Sequence, residues 1–322
     1  MTLTLNTATP YALFTMTYAK KTVKIGARGS KLSLAQVETI KAALKAAWPE
    51  AQFETKIIKT AGDKDQKTPL PEIGGKGLFT AELEEALQTG KIDLAVHCQK
   101  DLPIQDAKGL CLGAIFKRDA VEDAFISHQK YQLETLPKNA KIGTSSTRRK
   151  AQLLVMRPDL EVLSIRGNVD TRLKKAGNLD GIILAYAGLE RLGLDASLRW
   201  HDKIKRISKD VMLPAPAQGA LAIQCRQEQD WLDFLKPIHD SQTADCTLAE
   251  RSFLEGLGGG CSLPISALAS FQNGLIKLEG QVLNPDGSKQ IRESITGENP
   301  RELGLELARR CIKKGANELI GG

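Results

Sequence analysis

Polar side chains cluster at four points where a predicted strand gives way to a helix, and most of them are basic. They are Arg28 and Ser30, then Lys100 and Asp101, then Ser145, Ser146, Arg148 and Arg149, and finally Arg166, Asn168 and Arg172. In open α/β sheets, ligands bind beyond the carboxyl ends of the strands, where helix N-termini offer free N–H groups to anions. Arginine adds a bidentate geometry that matches carboxylates. The four clusters together therefore predict one site for an anionic ligand.

Asp101 is an acid among these cations, with Lys100 beside it and Lys76 in a preceding loop. In a structural role, its carboxylate would only pair with a neighbouring cation. In a catalytic role, it would transfer a proton or stabilise a cation formed from the substrate. The residues alone leave both interpretations open.

Cys261 follows three glycines and precedes Ser262-Leu263-Pro264. A free cysteine is most often buried filler, but a glycine-rich loop favours an accessible or modified thiol. The six cysteines form no Cys-x-x-Cys pair and no cluster with the four histidines, so we predict no metal site. Residues 74–77 (Gly-Gly-Lys-Gly) lack the spacing of a phosphate-binding loop.

Alternating strands and helices must position these residues. The predicted strands of the first two-thirds lie at 22–28, 53–59, 92–98, 124–128, 140–143, 160–165 and 181–187, and the helices between them at 30–48, 78–88, 145–155 and 168–175. This alternation is typical of α/β units with parallel sheets, and two units in tandem predict two lobes with a cleft. The last third contains a helix at 245–257, strands at 265–271, 275–283 and 289–296, and a helix at 300–320. It predicts a separate α+β domain.

Charge and composition narrow the class of protein. The 322 residues suggest two or three domains, and Lys+Arg 45 against Asp+Glu 38 gives a net charge of +7. Residues 141–175 hold nine basic residues against three acids, which indicates either a focused anion site or a solvated helix face. Aromatic residues are only 5%, which disfavours stacking on single-stranded nucleic acid. No apolar run is long enough to span a bilayer, so we predict no membrane partner.

The chain resembles the porphobilinogen deaminase family in eight segments that occur in family order. They are Arg28-Gly-Ser-Lys-Leu-Ser-Leu-Ala-Gln36, Thr60-Ala-Gly-Asp63, Gly74-Gly-Lys-Gly-Leu-Phe79, His97-Cys-Gln-Lys-Asp-Leu-Pro103, Gly143-Thr-Ser-Ser-Thr-Arg-Arg149, Ile165-Arg-Gly-Asn-Val-Asp-Thr-Arg172, Pro214-Ala-Pro-Ala-Gln-Gly-Ala220 and Leu257-Gly-Gly-Gly-Cys-Ser-Leu-Pro264. The resemblance implies a transferase of tetrapyrrole biosynthesis. It joins four porphobilinogen molecules head to tail into hydroxymethylbilane and releases four ammonia molecules.

The resemblance also implies the fold and the domain limits. We expect two α/β lobes like those of periplasmic binding proteins and a small C-terminal α+β domain. Domain 1 would comprise 21–118 and 216–240, domain 2 119–215 and domain 3 241–322. Residues 1–20 would be a disordered extension, either a leader or a segment that precedes a true start at Met16.

Site roles follow from the same resemblance. A dipyrromethane cofactor, made of two substrate units, would be bound by a thioether to Cys261, and Asp101 would be the catalytic aspartate. Cofactor-binding residues would be Lys100, Ser146, Arg148, Arg149 and Asp63, and substrate-binding residues would be Arg28, Ser30, Lys76, Arg166, Asn168, Arg172 and Gln218. The loop 60–77 would cover the site. We expect a cytoplasmic monomer that binds no nucleic acid.

Four residues depart from the family pattern. Cys98 replaces a serine, Gln99 a small or apolar residue, Glu72 a basic residue and Gln224 a glutamate. These departures concern rate and loop behaviour more than reaction type. The alternatives are an inactive deaminase-like protein, a two-lobed carboxylate-binding module without chemistry, and a nucleic-acid-binding protein with strongly salt-dependent affinity.

Overall fold

The first lobe is a five-stranded sheet with helices packed against it. The computed structural model describes residues 22–60, 62, 80–200, 202–260 and 263–321. The elements of this lobe are β1 (Thr22–Ala27), β2 (Gln52–Ile57), β3 (Leu94–Cys98), β4 (Leu110–Ile115) and β10 (Leu221–Arg226), with helices α1 (Lys31–Ala47), α2 (Ala81–Gln88) and α6 (Gln229–Leu235). The strand order is β2-β1-β3-β10-β4, and β10 is antiparallel to both of its neighbours.

Local sequence explains the first strand-helix unit. The residues of β1 are buried almost throughout, as expected of a parallel strand covered on both faces. Helix α1 begins after Ser30, whose hydroxyl accepts a hydrogen bond from the Ser33 backbone N–H (3.2 Å). The helix buries Val37, Ile40 and Leu44, spaced three and four residues apart, against the sheet. Its capped N-terminus therefore lies at the carboxyl end of β1.

The second lobe repeats this topology. Its elements are β5 (Asp123–Ile126), β6 (Lys141–Gly143), β7 (Glu161–Leu163), β8 (Gly181–Ala185) and β9 (Ile204–Arg206), with helices α3 (Thr147–Met156), α4 (Val169–Lys175) and α5 (Tyr186–Glu190). The strand order is β7-β6-β8-β5-β9, and the fourth strand is again antiparallel to both neighbours. The chain crosses between lobes twice, after β4 and before β10. At the crossovers the Asp119 N–H donates to the Gly219 carbonyl (3.3 Å).

The C-terminal unit packs helices on a three-stranded antiparallel sheet. Its elements are α7 (Ser241–Gly256), β11 (Ile265–Gln272), β12 (Leu275–Leu283), β13 (Gln290–Gly297), α8 (Pro300–Lys313) and α9 (Ala316–Ile320). Phe253, Leu278 and Leu307 are fully buried between the layers. The predicted fold class, two α/β lobes plus a small α+β unit, is confirmed.

Several predicted elements need correction. The single helix predicted at 300–320 is divided, because Gly315 adopts a left-handed conformation (φ 95°) between α8 and α9. Helix α7 begins four residues earlier than predicted, since the Asp240 carboxylate caps it by accepting from the Thr243 N–H (2.8 Å). The sequence pattern did not predict β4, β9, β10 or α6, and it extended β8 into residues 186–187, which begin α5. Within the described part of the chain, no helix is long and apolar enough to cross a membrane.

Candidate active site

A cavity of about 610 Å³ lies between the lobes and reaches the C-terminal unit. It brings together the described part of every predicted cluster, because the carboxyl ends of the parallel strands in both lobes face it. The predicted site residues on its wall are Arg28, Ser30, Lys100, Asp101, Ser146, Arg148, Arg149, Arg166, Asn168, Arg172 and Gln218. Three predicted site residues, Cys261, Asp63 and Lys76, lie outside the described residues, as do Glu72, residues 1–20 and most of the loop 60–77.

Arg148 and Arg149 lie at the start of α3 and share one buried carboxylate. Arg148 Nη2 donates to Asp123 Oδ2 (2.7 Å), and Arg149 donates to Asp123 Oδ1 from Nε (3.0 Å) and Nη2 (2.7 Å). Burial alone would raise the pKa of the Asp123 carboxyl, but the two arginines outweigh it and hold that pKa well below its usual range. Two guanidinium groups against one carboxylate leave a net positive charge beside the cavity.

Gln218 connects the crossover before β10 to both lobes. Its amide nitrogen donates to Asp123 Oδ1 (2.9 Å) and to the Val121 carbonyl (2.8 Å), and its amide oxygen accepts from Lys100 Nζ (3.0 Å). Burial, followed by the nearby Arg149, lowers the pKa of the Lys100 ammonium. The lysine at the end of β3 is thereby linked to the arginine pair of the other lobe.

Arg166 and Arg172 form a second cationic group on the second lobe. Arg172 Nε donates to the Gly167 carbonyl (2.8 Å), and burial together with the neighbouring Arg149 lowers the pKa of Arg172 to about 10. Arg166 Nη1 is buried and has no hydrogen-bond partner among the described residues. A buried charged donor without an acceptor is costly, so an anionic ligand that accepted a hydrogen bond from this nitrogen would remove that cost.

Asp101 lies in the 3-10 turn Gln99–Asp101 that follows β3, and its side chain is exposed to the cavity. The turn is closed by the Leu102 N–H, which donates to the Gln99 carbonyl (3.2 Å). It is joined to the chain before β10 by the Gln99 N–H, which donates to the Ala220 carbonyl (3.1 Å). A carboxylate thus projects into a cavity whose other charged groups are mainly cations.

Of the described departures from the family pattern, Gln224 is buried, and Cys98 is half-buried and lines the cavity. Gln36 Nε2 donates to Cys98 Sγ (3.0 Å), and burial, with Asp101 next in effect, raises the pKa of that thiol. His97 Nε2 lies 3.1 Å from Gln224 Oε1, and burial lowers the pKa of His97 to about 4. Gln99 is also buried. The imidazole is therefore neutral at physiological pH.

The sequence analysis missed three charged residues of this region. Arg191 lines the cavity, donating from Nε to Asp119 Oδ2 (2.7 Å) and from Nη2 to the Gly219 carbonyl (2.6 Å). Asp119 lies at the first crossover, and Asp123 lies behind the Arg148–Arg149 pair. Since none of the three belongs to the strand-end clusters, only their partners in space reveal them. Among the described residues, no group of His, Cys, Asp and Glu side chains could hold a metal ion.

The fold and site define a two-lobed α/β protein with a cationic cleft between its lobes. Residues 23–233 match the model of the porphobilinogen deaminase dipyrromethane cofactor binding domain, and residues 244–313 match the porphobilinogen deaminase C-terminal domain. The chain belongs to the porphobilinogen deaminase family.

Relatives that match more than nine-tenths of this chain belong to the same family. A porphobilinogen deaminase of a Nitratiruptor species is 48% identical over 301 residues, 92% of this chain and 95% of that protein. One of Listeria welshimeri is 44% identical over 308 residues, 94% of this chain and 98% of that protein. Among solved structures, a TRAP periplasmic solute binding protein from Pseudomonas putida is 11% identical with a TM-score of 0.38, covering 69% of this chain and 78% of that one.

Proposed function

We propose that the cleft between the lobes carries out the reaction of the porphobilinogen deaminase family, with Asp101 as its catalytic carboxylate. As a member of this family, the chain is a transferase of tetrapyrrole biosynthesis. It condenses four porphobilinogen molecules and one water into hydroxymethylbilane and four ammonia molecules. The observation that carries the assignment of the site is the arrangement of strand-end cations from both lobes around the exposed Asp101 carboxylate.

Asp101 would act on the substrate's positive charge. Loss of ammonia from the aminomethyl carbon breaks its C–N bond and leaves a cationic pyrrole. The free α-carbon of the growing chain then bonds to that carbon and loses its hydrogen as a proton, which restores the aromatic ring. A carboxylate in this position stabilises such a cation electrostatically and accepts a pyrrole N–H hydrogen bond. Its neighbour Lys100, whose ammonium donates to Gln218 Oε1, would bind a carboxylate of the cofactor.

The cationic wall fits the family's dipyrromethane cofactor, whose pyrrole rings carry carboxylate side chains. The unpartnered Arg166 Nη1 and the excess charge of the Arg148–Arg149 pair both favour bound carboxylates. When bound, this group supplies the pyrrole to which substrate units are added. Lys100, Ser146, Arg148 and Arg149 would hold it, and Arg28, Ser30, Arg166, Asn168, Arg172 and Gln218 would bind or border the substrate. Asp63 and Lys76 keep the roles that the family resemblance implies.

We assign the covalent attachment to Cys261. Its described neighbours on either side, Gly260 and Leu263, both line the cavity. Of the five other cysteines, all free thiols, four lie outside the cavity wall and Cys98 lies on it. Burial raises the pKa of each of these five thiols. A raised pKa makes a thiol a poor nucleophile at neutral pH.

Intact-mass measurement with a peptide map tests the attachment. We expect the purified protein to exceed its sequence mass by two deaminated pyrrole units, located on the peptide that contains Cys261. Cys261→Ser should lose the added mass, while Cys111→Ser, a control in the first lobe, should keep it. An unmodified native protein after incubation with porphobilinogen would indicate the inactive-relative alternative.

Kinetics test the role of Asp101 separately. Asp101→Asn should lower kcat by about 100-fold or more, the usual range for a catalytic acid or base. Lys138→Ala, a surface charge far from the cavity lining, is the control and should leave kcat unchanged. An Asp101→Asn protein that carries the added mass and turns over normally would refute the assignment.

The oligomeric state, the cellular location and the domain limits follow the family. We propose a cytoplasmic monomer that binds no nucleic acid, with domains at 21–118 plus 216–240, 119–215 and 241–322. The position of the two crossovers supports these limits, since the chain leaves the first sheet after β4 and returns at β10. Light scattering coupled to size exclusion tests the monomer: a mass of about twice 35.0 kDa would contradict it.

A further inference from the structure

Arg251, in helix α7 of the C-terminal unit, reaches into the first lobe and binds the backbone around Asp101. Its Nη1 donates to the carbonyls of Gln99 (3.3 Å) and Leu102 (3.2 Å). Its Nη2 donates to the carbonyls of Pro103 (2.5 Å) and Ile104 (3.3 Å). One guanidinium thus contacts the carbonyls just before and just after Asp101.

The Asp101 side chain has little else to fix it. Within the described chain, the turn is held by hydrogen bonds of its backbone and of the Lys100 side chain, while the Asp101 carboxylate projects into the cavity. The position of the carboxylate therefore depends on the backbone of residues 99–104. A turn of three residues has few internal hydrogen bonds, so an outside clamp has a large share in fixing it.

Arg251 is suited to clamp rather than to bind ligand. It is 9% exposed, is absent from the cavity wall, and is aimed at main-chain oxygens of four residues. The planar guanidinium fork spans several acceptors at once, which the compact ammonium of lysine does not. The helix that carries it ends at Gly256, and Cys261 is ten residues from Arg251 along the chain.

We infer that Arg251 is a positioning residue that sets Asp101 at its working place, so that the unit carrying Cys261 orients the catalytic carboxylate of another lobe. The inference rests on the proposed role of Asp101. Displacing a catalytic group by about 1 Å can cost about 100-fold in rate. Loss of the Arg251 clamp should therefore lower kcat while the cationic wall, and with it KM, stays intact.

The first experiment compares Arg251→Gln and Arg251→Lys with Arg226→Gln. Arg226 is a matched control, since it also caps backbone carbonyls, those of Leu87 and Ile92 (both 3.0 Å), but away from the cavity. Hydrogen exchange followed by mass spectrometry should show faster exchange at 99–104 in both Arg251 variants, and at 87–93 in the control. Unchanged exchange at 99–104 would overturn the inference.

Kinetics per cofactor-loaded molecule, counted by intact mass, supply the second readout. Arg251→Gln should lower kcat at least about tenfold with KM within about threefold, and Arg251→Lys should recover only part of the loss. Arg226→Gln should lower the melting temperature without changing kcat. If Arg251→Gln, like the control, lowers the melting temperature without changing kcat, Arg251 is merely structural and the inference fails.

A double-mutant cycle separates this inference from the proposed function. In an Asp101→Asn background, assayed by single-turnover substrate addition, Arg251→Gln should have almost no further effect. An equal effect in both backgrounds would mean that Arg251 does not act through Asp101, and the inference would be wrong. If Asp101→Asn alone keeps full activity, the proposed role of Asp101 fails, and the inference fails with it.

Discussion

At the scale of single residues, several of the charged groups of the site are bonded to other groups of the protein. Arg148 and Arg149 direct most of their donors to Asp123 and to the carbonyls of Leu213 and Ile183. A buried ion pair of this kind adds little stability compared with apolar packing, but it is strongly destabilising once one partner is removed. The pair thus presents charge in a fixed orientation, while Arg166 Nη1 is buried without a hydrogen-bond partner among the described residues.

A residue-scale prediction concerns His97 and Gln224. Burial lowers the pKa of His97 to about 4, so the unfolded chain binds a proton that the native chain does not as the pH falls below about 6.5. Native stability should therefore fall by up to about 1.4 kcal/mol per pH unit between those two values. Gln224→Glu places a carboxylate beside the imidazole, raises its pKa and should reduce this loss.

Urea unfolding at pH 7.5 and pH 5 measures the effect, with an NMR titration of His97 alongside. Gln224→Met is the control, because it removes the acceptor 3.1 Å from Nε2 without adding a charge. The native pH dependence should persist in the control. Equal pH dependence in Gln224→Glu and in the native protein would contradict the prediction.

At the scale of elements, the two crossovers decide how the lobes meet. Gly219 has φ +90°, and a Cβ there would lie 2.7 Å from the Asp119 carbonyl oxygen and 2.8 Å from that of Ala120. Only glycine allows the two segments to approach so closely. The same segment carries Gln218, which holds Lys100 and Asp123. A change in packing at the crossovers should therefore also move Gln218, which lines the cavity.

Gly219→Ala should accordingly destabilise the protein by more than backbone strain alone. The matched control is Gly109→Ala, at φ +76° with open space around the added Cβ. The control should cost about 1 kcal/mol of unfolding free energy, and Gly219→Ala at least about twice that, because backbone must move. Urea unfolding compares the two variants. Equal losses of unfolding free energy in the two variants would show that the crossover backbone accommodates the added Cβ without strain.

At the scale of the whole molecule, one buried carboxylate joins three parts of the structure. Glu250 of α7 accepts from Arg118 Nη1 (2.6 Å) and Nη2 (2.9 Å), at the first crossover. It also accepts from the Ala217 N–H (2.6 Å) at the second crossover and from the Ala269 N–H (2.7 Å) in β11. With Arg251 beside it, this helix couples the C-terminal unit to both crossovers and to the Asp101 turn.

Glu250→Gln should therefore cost about 3–5 kcal/mol, the usual effect of removing one member of a buried ion pair. Glu255→Gln, on the same helix, breaks only the partly exposed pair with Arg301 (3.0 Å) and should cost less than about 1 kcal/mol. Calorimetry measures both, and Glu250→Gln should also broaden or split the unfolding transition. Similar costs for the two variants would contradict the coupling.

Most of the fold, and the strand-end residues that line the cavity, could be predicted from the sequence, because the signals are local. Strand-helix alternation and capping serines such as Ser30 depend on near neighbours along the chain. Strand β4 was missed because Gly113 weakens a strand pattern; a Cβ there would lie 2.5 Å from Leu235 and 2.7 Å from Cys225 Sγ, so the glycine allows α6 to pack closely. That reason lies in the packing and not in the local pattern.

The sequence by itself determined the chemistry that this protein carries: the cations at strand ends, the acid among them and the motif order of its family. Only the tertiary structure decided how those groups are used. Asp123 lies 25 residues from Arg148, and Leu102 lies 149 residues from Arg251, yet a hydrogen bond joins each pair. Hydrogen bonds and burial depend on distances in space, which residue types and their spacing along the chain do not specify.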